Sequence, residues 1–308
     1  MAVELNIDPT VSDAGLRERV AAYVALTKPR IIELLLLTTL PVMFLASNGV
    51  PPLALVAATL VGGTLSAGSA NALNCVVDAD IDTRMRRTRR RPLARNEISR
   101  PAALAFGLVL GIVSTLVLGL LVNWLSAGLA LTANVFYVIG YTLLLKPRTS
   151  QNIVWGGAAG CFPTLIGWTA VSDGLDWAPV VLFLVVFFWT PPHFWALGIR
   201  YREDYARAGV PMLPAVVPAV VVARQILVYA AATVAISLAL WPIAATGPVY
   251  PVLALVLGGA FMVECWRLWR RASVSDDLSS LQPMRLFHLS NAYLTVLFLG
   301  VALVPFVS

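Results

Sequence analysis

The run Asn74-Cys-Val-Val-Asp-Ala-Asp-Ile-Asp82 places three carboxylates at the end of a long apolar segment. On an α-helix Asn74, Asp78 and Asp82 recur every four residues and form one stripe along two turns. Asp80 points away from that stripe. The inner turns of the stripe stay close to hydrocarbon, where ionisable groups are expensive and usually functional. Seven arginines follow, at positions 84, 86, 87, 89, 90, 91 and 95. Carboxylates beside so dense a cationic run can hold a divalent metal and a polyanion together. A diphosphate carried on a lipid is the natural candidate. A plainer reading of the arginines, as topology determinants and anchors for anionic headgroups, stands beside it.

A second polar loop, Arg200-Tyr-Arg-Glu-Asp-Tyr-Ala-Arg-Ala-Gly209, falls four apolar segments later and faces the same way. Two such loops can converge over one cavity. His193 lies in Trp189-Thr-Pro-Pro-His-Phe-Trp195, where Pro191 and Pro192 are expected to break the helix and open backbone toward a cavity. Cys75, Cys161 and Cys265 show no paired or metal-type spacing and read as apolar fillers.

The elements that must position these residues are membrane spans. Hydrophobic residues make up 59% of the 308, charged residues only 12%, and the mean hydropathy is +0.81. Such a composition excludes a soluble globular domain and leaves no basis for nucleic-acid binding. A span needs about 20 apolar residues. Nine candidates cover 30–48, 53–74, 101–122, 124–145, 153–172, 178–199, 219–241, 250–268 and 286–306. With this division all 22 Lys and Arg fall in the N-terminal tail, at like-facing span ends, or in the loops after spans two, four, six and eight. The positive-inside rule then predicts an all-α polytopic protein with a cytoplasmic N-terminus and an external C-terminus. Residues 1–27 read as a cytoplasmic tail, resembling neither a transit peptide nor a cleavable signal. Residues 28–308 read as a single transmembrane domain.

The Asn74-x3-Asp78-x3-Asp82 run after a transmembrane segment resembles the first aspartate motif of the UbiA-type intramembrane prenyltransferases. Its continuation, Met85-x-Arg87-Thr88-x-x-Arg91-Pro92-Leu93, is similar to the protohaem farnesyltransferase branch. Tyr141-Thr-Leu-Leu-Leu-Lys-Pro-Arg-Thr-Ser-Gln-Asn152, the histidine-containing stretch and Asp204-Tyr-x-x-Ala-Gly-Val-Pro-Met-Leu-Pro214 agree with that branch. The resemblance covers about residues 25–305. It implies farnesyl transfer from farnesyl diphosphate to a vinyl group of haem b, giving the hydroxyethylfarnesyl haem of terminal oxidases. It also implies Mg²⁺ as cofactor, held by Asp78, Asp82 and Asp204, with Asn74 orienting the aspartates. Arg87, Arg91, Lys146, Arg148 and Arg202 are the implied phosphate clamp, Tyr141 belongs to the same substrate-binding set, and His193 serves the haem or the proton. The implied setting is a bacterial plasma membrane with the site toward the cytoplasm. Haem A synthase or terminal-oxidase assembly factors are the implied protein partners.

The chain departs from the superfamily pattern at two places. Ala208 stands where a second Asp-x3-Asp motif would carry its second aspartate, a change shared with the haem branch, and Pro147 interrupts the basic pair Lys146 and Arg148. A prenyltransferase acting on a quinone precursor or chlorin remains the nearest alternative. A non-catalytic transporter is the alternative from another class, opposed by the lack of paired broken helices at the midplane.

Overall fold

A backbone inside hydrocarbon must satisfy its polar groups within its own segment, so long apolar runs become helices. The computed structural model describes residues 15–275 and 277–307, apart from the side chain of Ser279, and no strand occurs among them. The chain opens with α1 (Leu16–Thr27), α2 (Pro29–Ser47), α3 (Leu53–Arg84) and α4 (Arg100–Leu121). Next comes α5 (Trp124–Val135), which continues without a break as a π-helix (Phe136–Leu145). A composite segment follows: α6 (Asn152–Gly156), a 3₁₀ turn (Gly157–Cys161) and α7 (Phe162–Ser172). Then come α8 (Trp177–Arg200), α9 (Arg202–Arg207), α10 (Leu213–Val216) and α11 (Ala219–Ala244). The chain closes with α12 (Val249–Val274), α13 (Leu278–Leu281) and α14 (Pro283–Val307).

Among the described residues eight helical stretches are long and apolar enough to cross a membrane: α2, α3, α4, α5 with its π continuation, α8, α11, α12 and α14. The expected span over 153–172 is not one uninterrupted helix. Its glycines and Pro163 lower helix propensity, and packing requires three of those glycines, a Cβ on Gly167 lying 2.5 Å from Thr39 O. A Cβ on Gly157 would lie 2.6 Å from Thr190 Cγ2, and one on Gly156 would strike the Tyr141 ring. The composite segment nevertheless travels. At one end Asn152 Nδ2 donates to Lys146 O at 3.4 Å, and at the other Asn123 Nδ2 donates to Thr169 O at 2.7 Å. It therefore runs from the end of the π-helix to the level of the α4–α5 turn.

The expected break at Pro191 and Pro192 does not occur. Helix α8 is continuous from Trp177 to Arg200. Its surroundings hold it: Thr190 to His193 are buried, and Trp189 Nε1 donates across to Ser290 O on α14 at 2.8 Å. Helices α8, α11, α12 and α14 share the largest core. On the other side α3 and α4 approach closely through small residues, as membrane helices do. Gly62 lies under Leu118, Ser114 Oγ donates to Gly62 O at 2.8 Å, and Ser69 Oγ donates to Gly107 O at 2.7 Å. Residues 16–27 of the expected tail form α1, whose Ala22 and Leu26 pack on Ala72, Cys75 and Ala79 of α3. Residues 1–14 lie outside the described residues. All three cysteines are free and buried.

Candidate active site

Helix α3 runs past the last apolar turn to carry the acidic stripe, and burial divides its carboxylates as helical spacing requires. Asn74, Asp78 and Asp82 are only 3%, 2% and 2% exposed. The Asp80 side chain is 74% exposed and pairs with Arg100 at the surface. The stripe lines a cavity of about 300 Å³ bounded by α2, α3 and the loop after it, α5 with its π continuation, the composite segment and α8, with Tyr205 contributed by α9 and Leu294 by α14. Its mouth is polar, and its walls toward the far end are mostly aliphatic, aromatic or small.

At the mouth, four elements bring charge together. Asp78 Oδ2 accepts from Lys146 Nζ at 2.5 Å and from Asn74 Nδ2 at 2.9 Å. The amide of Asn74 also donates to Thr142 Oγ1 at 3.1 Å, and its Oδ1 accepts from Lys28 Nζ at 2.6 Å. Arg91 places one guanidinium nitrogen 2.8 Å from both oxygens of Asp82. Burial alone would push this guanidinium down, but the Asp82 carboxylate outweighs it and raises it above its ordinary value. Burial pushes the Lys28 ammonium down to about 8. Asp78 Oδ1 is buried with no hydrogen-bond partner.

That bare oxygen fits a cation. Mg²⁺ typically takes one or two carboxylates and fills its remaining positions with water and substrate phosphate. Asp78 and Asp82, one turn apart and both lining the cavity, are such a pair. Among the described residues no three acidic, histidine or cysteine side chains stand close enough to hold a metal by themselves. Asp204 lies buried on α9 outside the cavity lining. Its Oδ2 accepts from the Arg87 backbone N–H at 3.3 Å, and its Oδ1 pairs with Arg207. This carboxylate ties the two polar loops together. Arg87 reinforces the junction, its guanidinium 3.4 Å from the Tyr205 hydroxyl and 5.7 Å from the centre of the Tyr201 ring.

The other expected residues divide. Arg87, Arg91, Lys146 and Tyr141 line the cavity. Arg148 is exposed and folds back onto the carbonyls of Leu143 and Leu144, capping the π-helix. Arg202 starts α9 half-buried and outside the lining. His193 also stands outside it, although Trp189, Thr190 and Phe194 of the same helix line the cavity. The imidazole stacks between Trp189 and Phe287, with ring centres 4.3 and 4.4 Å away, and its Nδ1 lies 2.8 Å from Ser290 Oγ. Of the arginine run, Arg87 and Arg91 reach the cavity while 84, 86, 89, 90 and 95 stay exposed.

Several polar contributors escaped the sequence reading, Thr142 and Tyr205 among them. Lys28 caps the start of α2 in a left-handed conformation, φ 53°, and looked like one more orienting cation. Asn71, Asn134 and Tyr137 line the cavity from inside spans. Polar groups at such depth are themselves a signal. The amide of Asn71 donates to Thr27 O at 2.9 Å, and that of Asn134 to Ser69 Oγ at 3.0 Å.

Fold and site together define a polytopic membrane protein whose lipid-depth cavity opens through a mouth of paired carboxylates and cations. The chain belongs to the UbiA prenyltransferase family, whose pattern matches residues 35–291. It is 62% identical to a protoheme IX farnesyltransferase of Nocardioides sp. over 292 residues, 95% of this chain and 93% of that protein. Identity to the protoheme IX farnesyltransferase of Frankia alni is 60% over 284 residues, 92% and 97% of the two chains. In fold it is similar to a digeranylgeranylglyceryl phosphate synthase, with TM-score 0.75 at 16% identity, covering 94% and 99% of the chains. A UbiA homologue from Archaeoglobus fulgidus bound to DMAPP and Mg²⁺ gives TM-score 0.67 at 15% identity, covering 90% and 98%.

Proposed function

We propose that this protein transfers the farnesyl group of farnesyl diphosphate to a vinyl group of haem b, yielding hydroxyethylfarnesyl haem for terminal oxidases. The observation that carries the donor half is Asp78 Oδ1, a buried, unpartnered carboxylate oxygen among cations at the mouth of an apolar cavity. The acceptor rests on high identity to protoheme IX farnesyltransferases over nearly the whole chain.

In this reading the farnesyl chain lies among the apolar walls with its diphosphate at the mouth. Asp78 and Asp82 hold Mg²⁺, which supplies positive charge to the leaving oxygens. Lys146, Arg91, Arg87 and Lys28 grip the diphosphate, and their charge favours its departure with the C1–O electron pair. The vinyl group of haem supplies the electron pair for the new C–C bond at C1. Water then adds to the resulting cation and loses a proton, leaving the hydroxyl. Thr142, through Asn74, keeps the stripe oriented. Asp204 acts on the site through Arg87, whose backbone it holds, in place of the direct metal contact implied by the family resemblance.

We read the composite segment as a ninth crossing. The N-terminus is then cytoplasmic, the C-terminus external, and the mouth faces the cytoplasm of a bacterial plasma membrane. Residues 28–308 form one catalytic domain in this scheme. Oxidase-assembly factors are the natural recipients of so apolar a product. Incubating membranes that contain the protein with haem b, farnesyl diphosphate and Mg²⁺ tests the reaction. Extracted pigment should gain the mass of one farnesyl group and one hydroxyl, and omitting any one component should abolish the gain. Conversion of a quinone precursor in place of haem would overturn this assignment.

A further inference from the structure

The α3 lining of the cavity includes the row Thr59, Gly63, Ala67, Ala70, Asn74 and Asp78. Steps of three and four keep these on one helical face, so the cavity follows α3 inward from the carboxylates. On this row the side chains are small at Ala70 and Ala67 and absent at Gly63, with Asn71 and Ser66 lining the cavity beside them. At the far end stands Thr59, 1% exposed, its hydroxyl donating to Leu55 O at 2.8 Å. Ile166 and Thr39 line the same cavity from α7 and α2.

Gly62 and Gly63 are adjacent and have different reasons to be glycine. A Cβ on Gly62 would sit 2.5 Å from Leu118 Cγ, so packing against α4 requires its absence. A Cβ on Gly63 would meet nothing within 4 Å. Glycine is a poor helix former, and here no protein neighbour demands it. The vacancy faces the cavity.

Its depth matches a donor length. From Asp78 to Gly63 is 15 residues, about 22 Å of helix at 1.5 Å per residue, and to Thr59 about 28 Å. With C–C bonds of about 1.5 Å an isoprene unit extends about 5 Å. Three units and a diphosphate therefore reach roughly to Gly63, and a fourth meets Thr59. We propose that Gly63 is the length gauge of the donor cavity: its missing side chain makes room for the third isoprene unit, and Thr59 is the floor that excludes a fourth. This rests on the reading that a prenyl diphosphate binds tail-inward from Asp78.

The full-length protein in detergent or nanodiscs is titrated with geranyl, farnesyl and geranylgeranyl diphosphates in the presence of Mg²⁺. Gly63→Leu should lower the farnesyl-to-geranyl affinity ratio at least about tenfold, as pocket-filling steps of this size do. Gly63→Ala should move it in the same direction by less. Thr59→Ala should gain affinity for geranylgeranyl diphosphate, a result that damaged folding cannot mimic. Gly62→Ala should lower thermal stability and leave the ratio unchanged. Equal loss of both shorter donors in Gly63→Leu, or no gain in Thr59→Ala, would overturn the gauge. Failure of the wild type to bind any prenyl diphosphate, or full binding by Asp78→Ala, would instead refute the reading beneath it.

Discussion

Asp78 divides its two oxygens: Oδ2 accepts from Lys146 and Asn74, while buried Oδ1 has no hydrogen-bond partner. The surrounding cations make the mouth sensitive to pH. Lys28 is held down to about 8 by burial, so it is charged below that pH and neutral above. A bound diphosphate favours the charged form, so donor affinity should be level below pH 8 and fall as pH rises past it. Lys28→Arg should flatten that basic limb, which titrating farnesyl diphosphate across the pH range would show. His193 reaches the cavity through its ring contacts with Trp189 and Phe194, which both line it, while Ser290 holds its Nδ1. His193→Ala should therefore raise KM for haem and leave farnesyl diphosphate affinity within about twofold, since no charge at the mouth changes. Parallel loss of both affinities would mean that the histidine only supports the α8–α14 contact.

The composite segment between the π-helix and α7 makes the element-scale case. Its glycines are not interchangeable. Gly157→Ala pushes a methyl group into Thr190 and should destabilise the protein by about 1–3 kcal/mol. Gly160→Ala, where a Cβ meets nothing within 4 Å, should be neutral or gain a few tenths of a kcal/mol. Thermal unfolding of the two variants in detergent separates them. Sequence patterning made the long apolar helices legible because hydropathy depends on local composition alone. It missed the break at 157–161 and assumed one at Pro191 and Pro192. Both errors share a cause: whether a glycine run or a proline pair interrupts a membrane helix depends on what packs against it. Tyr141 and Thr190 crowd the first, whereas α14 ties down the second through Ser290.

Across the whole molecule, the start of α2 and the ends of α3, the π-helix and α8 meet at one mouth. Reporters fused after Arg95 and Arg207 should both read as cytoplasmic, and those near Asp173 and Thr246 as external. Opposite readings at Arg95 and Arg207 would contradict the Arg87–Asp204 junction. The acidic stripe was legible because helical spacing alone decides which aspartates face inward. Lys28 was not, because its partner Asn74 lies 46 residues further along the chain and only the tertiary fold brings them together. The same limit explains Arg148 and Arg202, whose basic character was plain but whose direction was not. The central claim is that the inward face of α3 performs the donor chemistry. Comparing haem conversion by Asp78→Ala and Asp80→Ala in equally folded protein tests it most directly. The account predicts a loss of at least about a hundredfold for Asp78→Ala and less than about threefold for surface-paired Asp80→Ala; equal losses from the two would contradict it.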